Sequence, residues 1–246
     1  MLGGNAVVDL HCHILPGVDD GSDEMSTSLE MAAMAADCGV KYIFATPHCN
    51  TRNEQKNFRT PALLAAVDSL QAALDRSGIP VRILPGAEVL VRGRFTEHLE
   101  GGDFMTLNGS RYLLVEFYFD EHPDFMEQSL EQIEAAGLVP VVAHPERYYC
   151  VQDSPALAIG WANRGRVLQL NKGSILGNLG EGSYDAAALL LRSGAAAVIA
   201  SDAHHFLYRT PHMGRLLEEL EQRFPQLDPA LLLRTNPAKI AMDQSL

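Results

Sequence analysis

Asp9-Leu-His-Cys-His13 closes an apolar run that begins at Ala6. Side chains alternate along a strand, so His11 and His13 point one way and Cys12 the other. Two imidazoles side by side where a strand ends make a metal-binding element. The arrangement recurs. His48 ends Tyr42-Ile-Phe-Ala-Thr-Pro-His48, Glu88 follows Val81-Arg-Ile-Leu-Pro-Gly-Ala87, and Glu116 ends Tyr112-Leu-Leu-Val-Glu116. His144 ends Val139-Pro-Val-Val-Ala-His144, and Asp202 and His204 close Ala197-Val-Ile-Ala-Ser-Asp-Ala-His204. The one apolar run without such an ending is Val167 to Asn171, which stops at an amide.

Elements of a particular kind are needed to bring these endings together. Runs rich in Val, Ile, Leu and Ala, separated by helical stretches, predict a parallel sheet covered on both faces. Such folds carry their chemistry at the carboxyl ends of the strands. Amphipathic helices are expected over Met25–Cys38, Pro61–Ser77, Asp124–Ala136, Ser183–Ser193 and Pro211–Arg223. Gly39, Gly78, Gly137 and Gly194 stand as stop signals after four of them. Asn236-Pro237 opens a short closing helix with Pro at its first position. Seven strands with intervening helices read as an α/β fold, a distorted (β/α)7 TIM-like barrel. Its 246 residues, 47% of them hydrophobic, form one domain over residues 1–246.

Composition narrows the function classes. The chain has no run of about 18 apolar residues and no basic stretch leading into a hydrophobic core, so neither membrane insertion nor a signal peptide is expected, and cytoplasm is the default. The net charge of −12 argues against a nucleic-acid partner, which calls for a basic face. Cys12, Cys38, Cys49 and Cys150 show no paired spacing and are expected to be reduced. Six residues beyond them stand Val18, Phe44, Gln55 and Ala156. None is the arginine that a cysteine-based phosphatase loop requires.

Taken together, Asp9-Leu-His-Cys-His-Ile-Leu-Pro-Gly-Val-Asp-Asp-Gly-Ser22, Ala45-Thr-Pro-His48, Gly86-Ala-Glu88, Ala143-His-Pro-Glu-Arg147 and Ser201-Asp-Ala-His204 resemble the PHP (polymerase and histidinol phosphatase) superfamily. More narrowly, the chain resembles bacterial protein-tyrosine phosphatases of capsule and exopolysaccharide gene clusters. The similarity runs from residue 7 to about residue 243 and includes the ending Asn236-Pro-Ala-Lys-Ile-Ala-Met-Asp-Gln244. The resemblance implies three divalent ions, manganese first, with iron, zinc or magnesium as alternatives. Carried over by motif, the ligands are His11, His13, Asp20, His48, Glu88, Glu116, His144, Asp202 and His204. Three divalent ions outweigh the four carboxylates, so the first shell is net positive and favours a phosphate dianion. Nitrogen and oxygen ligation without thiolate suits these hard and borderline metals.

The mechanism implied is attack by metal-bound hydroxide while the same ions hold the phosphoryl oxygens. Arg147, three residues past His144, and Arg209, five past His204, are candidates for clamping phosphate, a task suited to arginine's fork. A phenolate leaving group has little need of a general acid; Asp202 or a metal-bound water are the candidates. Asp9 shares the face of His11 and His13 and is expected to orient a ligand. Asp19 beside Asp20 leaves open which carboxylate reaches metal. His98 and His122, in acidic surroundings, read as solvated, while His205 and His212 flank the last motif within reach of substrate. The partner implied is a phosphotyrosine-bearing bacterial tyrosine autokinase, with oligomeric state left open. Histidinol phosphatase, on the same fold and metals, and a non-catalytic regulator are the competing readings. The complete ligand set stands against the latter.

Overall fold

The computed structural model describes residues 6–50 and 57–246. Among the described residues nine parallel strands carry the fold: β1 (Val7–Cys12), β2 (Val40–Ala45), β3 (His48–Cys49), β4 (Arg82–Pro85), β5 (Glu88–Leu90), β6 (Tyr112–Glu116), β7 (Val139–Ala143), β8 (Val167–Asn171) and β9 (Val198–Ala200). They form two sheets, ordered β1-β2-β4 and β3-β5-β6-β7-β8-β9. Only Thr46-Pro47 separates β2 from β3, and only Gly86-Ala87 separates β4 from β5. These are the seven expected strands, with two of them kinked. Proline donates no ladder hydrogen bond. A Cβ on Gly86 would meet the side chains of Leu107 and Thr46 at 3.0 and 3.2 Å, so a larger residue at the second kink would have to push one of them aside.

The last strand returns to the first. Cys12 bridges Ala203 in parallel. The amide of His13 donates to the Ala203 carbonyl at 2.8 Å, and the amide of Asp202 to the His11 carbonyl at 2.9 Å. A distorted barrel results. Inside it lies an apolar cluster that includes Val8, Leu10, Leu114, Val141, Val198 and Ile240. The larger cluster between strands and helices takes the alternate residues, such as Leu113, Val142, Leu168 and Ile199, with Met31, Leu70, Leu130 and Leu190 from the helices. This period-two division is what positions the last residue of each strand at the barrel mouth.

Five helices fall where the periodicity predicts them: α1 (Met25–Asp37), α2 (Pro61–Ser77), α4 (Pro123–Ala135), α8 (Glu181–Arg192) and α9 (Gly214–Arg223). Four short ones were not anticipated: α3 (Phe95–Gly101), α5 (Tyr149–Asp153), α6 (Ala156–Asn163) and α7 (Lys172–Ile175). The closing helix α10 (Asn236–Ala241) has its proline in the first turn, as expected, and follows a π-turn over Leu231–Thr235. No helix among the described residues is long and apolar enough to cross a membrane.

Candidate metal centre

The strand register aligns the acidic and basic endings across neighbours. His48 pairs with Glu88, and Leu90 with Glu116. Three sets of potential ligand atoms gather at this end of the barrel, each within 4.8 Å: His13, Asp20, His48 and His204; His11, His13 and Asp202; and His48, Glu88 and Glu116. His144 joins them through Glu88, its Nε2 lying 3.0 Å from Glu88 Oε1. All nine sequence-predicted ligands therefore converge.

Three of the imidazoles are held by one nitrogen so that the other faces the cluster. His11 Nδ1 bonds Gln169 Oε1 at 2.8 Å, His13 Nδ1 bonds Asp19 Oδ2 at 2.7 Å, and His204 Nδ1 lies 3.1 Å from the Asp202 carbonyl. Each ring thereby presents Nε2, and outer partners of this kind fix ring orientation and tautomer in metal sites. The Nε2 atoms of His11 and His13 stand only 3.1 Å apart. His48 Nδ1 comes within 2.9 Å of Glu88 Oε2, yet both atoms lack a hydrogen-bond partner, as do His144 Nδ1 and His204 Nε2. Buried polar atoms are rarely left unpaired. Four unpartnered buried atoms in a crowd of imidazole nitrogens and carboxylate oxygens fit divalent ions.

Electrostatics reflect the same crowding. Burial pushes Glu88 up, but His11 and His48 overcome it and hold the carboxyl well below its usual range. Burial and repulsion from Glu88 raise Glu116 to about 8. Burial opposes protonation of His13, yet Asp19 and the hydrogen bonds to Asp202 and Glu88 raise its pKa well above the ordinary value. His204 goes the other way, lowered to about 2 by burial and by His13.

Asp202 is the hub for both arginines. Arg209 Nη2 lies 2.7 Å and Arg147 Nη1 3.7 Å from Asp202 Oδ2, to which Asn171 Nδ2 also donates at 2.6 Å. The Arg147 guanidinium rests over the Phe119 ring at 4.4 Å. Although burial pushes the Asp202 carboxyl up, His11, His13 and Arg209 keep it well below the usual carboxylate range. Its charge suits an anchor and a ligand. Asp202 and His144 both have positive φ, 49° and 33°. Such backbone is sparsely populated for non-glycine residues and persists where surrounding contacts enforce it.

Several expectations are corrected. The ligand that Asp9 supports is Asp202, through Ser201, and not His11 or His13. The pairing register of β1 shifts between Asp9 and Cys12, and the Asp9 carboxylate accepts the Ser201 amide at 2.9 Å and the Ser201 hydroxyl. It anchors the turn that leads to Asp202. His98 is solvated only in part: its Nδ1 bonds Asp103 at 2.8 Å and one side of its ring packs 4.5 Å from Phe58. His122 is exposed, as expected, and accepts the Asp124 amide at the start of α4. His205 stacks on Phe206 and Tyr208 of its own segment, and His212 Nδ1 accepts the Gly214 amide. The supporting residues Gln169, Asn171 and Phe119 were missed. The amide ending of Val167–Asn171, the exception among the runs, was the available signal.

Comparison with known proteins agrees with this geometry. The family model described as "Capsular polysaccharide synthesis, CpsB/CapC" matches residues 7–242. Tyrosine-protein phosphatase YwqE of Bacillus subtilis is 34% identical over 92% of this chain and 88% of its own. Tyrosine-protein phosphatase CpsB of Streptococcus pneumoniae is 29% identical over 97% of this chain and 99% of its own. Among solved structures, one described as from the work on YwqE of Bacillus subtilis and CpsB of Streptococcus pneumoniae, "unique metal-dependent tyrosine phosphatases", superposes with a TM-score of 0.88 at 33% identity, covering 97% of this chain and 96% of that one. The phosphotriesterase of Mycobacterium tuberculosis, at TM-score 0.59 and 12% identity, shares the fold alone. With one family model spanning nearly its whole length and a relative above 30% identity, the chain belongs to the CpsB/CapC family.

Proposed function

We propose that this protein is a metal-dependent protein-tyrosine phosphatase whose nine converging residues, His11, His13, Asp20, His48, Glu88, Glu116, His144, Asp202 and His204, hold three divalent ions, manganese first among them. The observation that carries this reading is the gathering of those side chains at one barrel mouth with two guanidinium groups directed at the same carboxylate. When bound, such ions activate water near neutral pH and neutralise phosphoryl oxygens.

The chain's own residues do the rest. Arg147 and Arg209 bind phosphoryl oxygens, and Asp202 with Phe119 fixes where their guanidinium groups stand. Asp19 and Gln169 hold the rings of His13 and His11 in orientation. Asp20, with its side chain 62% exposed and its Oδ1 3.4 Å from His48 Nε2 and 3.6 Å from His204 Nε2, is the ligand at the solvent side. Proton donation to the leaving group is the least needed step, since phenolate leaves with a pKa of about 10.

The physiological phosphoprotein in this reading is a bacterial tyrosine autokinase of polysaccharide export, met in the cytoplasm. The family's description supports the link to polysaccharide synthesis, and four unpaired thiols agree with a reducing compartment. Side-by-side turnover of a phosphotyrosine peptide and histidinol phosphate with Mn²⁺ tests the substrate class. The peptide should be hydrolysed with the higher kcat/KM; clear preference for histidinol phosphate would make this a small-molecule phosphoesterase.

A further inference from the structure

Beside the metal centre, between β8–α7 and the segment 207–215, lies a cavity of about 580 Å³. That is within the range of pockets that hold ligands. Two of its lining residues, Asn171 and Arg209, also touch Asp202, so the cavity abuts the proposed phosphate site. Its charged lining is Lys172, Arg209 and Arg215, with His212, and no Asp or Glu lines it. In a chain of net charge −12 this is a local reversal of sign. Leu176, Leu179 and Leu207 supply apolar wall, and Leu207 and Tyr208 stand exposed at the rim.

The cations are not equivalent. The Lys172 ammonium is buried and donates to the carbonyls of Thr210 and His212, which ties the segment to α7. Arg209 is engaged with Asp202. Arg215, in the first turn of α9, is exposed and makes no hydrogen bond or ion pair among the described residues. A guanidinium free of protein partners beside an apolar wall suits a carboxylate carried on a chain.

Resting on the phosphatase reading above, we infer that this cavity is a specificity subsite for the peptide flanking the phosphotyrosine, in which Arg215 receives the carboxylate of an acidic side chain. The volume is far more than one carboxylate needs, so the neighbouring peptide lies against Leu176, Leu179 and Leu207. Arg209, shared by both sites, couples the position of the peptide to that of the phosphate.

The test uses two phosphotyrosine peptides identical except for glutamate or glutamine at the positions flanking the phosphotyrosine, with Mn²⁺ supplied. The wild type should favour the glutamate peptide by about five- to tenfold in kcat/KM, the size of a partly exposed charge-assisted contact. Arg215→Glu should abolish or invert that ratio and Arg215→Lys should keep part of it. A glutamate suits the first turn of a helix, so the variant is compatible with folding. Arg76→Glu, the same charge change at the exposed carboxyl end of α2 and outside the cavity lining, should leave the ratio intact. Equal rates on both peptides, or an unchanged ratio in Arg215→Glu, would overturn the subsite while leaving the phosphatase reading standing. No wild-type hydrolysis of either peptide would overturn both.

Discussion

Asp19 Oδ2 accepts from His13 Nδ1 at 2.7 Å and from the His48 amide at 2.9 Å, while its Oδ1 takes the Gly21 amide at 3.0 Å. Three of the four lone-pair directions of this carboxylate are thus spent on orienting the site rather than entering it. The neighbouring Asp20 is the one whose oxygen faces His48 and His204. Asp19→Ala should therefore weaken metal binding by roughly ten- to a hundredfold, the usual cost of losing an outer partner. Calorimetric titration of metal into the stripped protein measures it. Unchanged affinity would mean that His13 needs no such support.

Arg147→Ala should retain its metals and lose about ten- to a hundredfold in kcat/KM on phosphotyrosine peptide, since a charge-assisted hydrogen bond is worth roughly 1.5 to 3 kcal/mol. Elemental analysis and steady-state kinetics on one preparation separate the two effects. Loss of metal together with activity would show that Arg147 supports the ligands instead of the substrate.

How much of this was legible in sequence depends on whether the signal was local. Strand ends and most long helices follow from apolar periodicity and from stop glycines such as Gly78, which takes φ 67° at the end of α2. The choice between Asp19 and Asp20 was not legible. It is decided by Gly21, where an added Cβ would lie 2.2 Å from the His13 carbonyl oxygen, so that the loop folds back onto His13 only with glycine there. Gln169, Asn171 and Phe119 escaped notice because contacts 31 and 158 residues apart leave no local pattern. His98 looked solvated because its neighbours in sequence are acidic, while Phe58 reaches it only through the fold.

Glu146 gives a pH signature. It is fully buried, its Oε1 accepts from the Asn171 amide at 2.9 Å and the Ser174 hydroxyl at 2.7 Å, and its Oε2 has no partner. Burial raises its pKa from 4.5 to about 7. Between those values the folded chain holds a proton that the unfolded chain has released, so stability declines as pH rises through this window, by on the order of 3 kcal/mol from this group. Denaturation of the chelator-treated protein at several pH values should show the decline, and Glu146→Gln should reduce it. An equal pH slope in both proteins would remove Glu146 as its source.

Thiol alkylation should leave most of the activity. Burial pushes the Cys12 thiol well above its usual range and Cys49 up to about 12, and thiolate is the reactive form. Iodoacetamide treatment followed by assay on phosphotyrosine peptide checks this, with mass spectrometry to score which cysteines reacted. Full inactivation on modification of a single cysteine would point to a cysteine nucleophile.

The most direct measurement is the rate of phosphotyrosine-peptide hydrolysis before and after a strong chelator strips the protein, and again after Mn²⁺ is returned, with His13→Ala carried in parallel. Stripping should abolish hydrolysis and Mn²⁺ should restore it in the wild type, whereas His13→Ala should hold less metal and recover little. Full activity in protein shown by elemental analysis to be free of divalent metal would contradict the metal-dependent site at the barrel mouth.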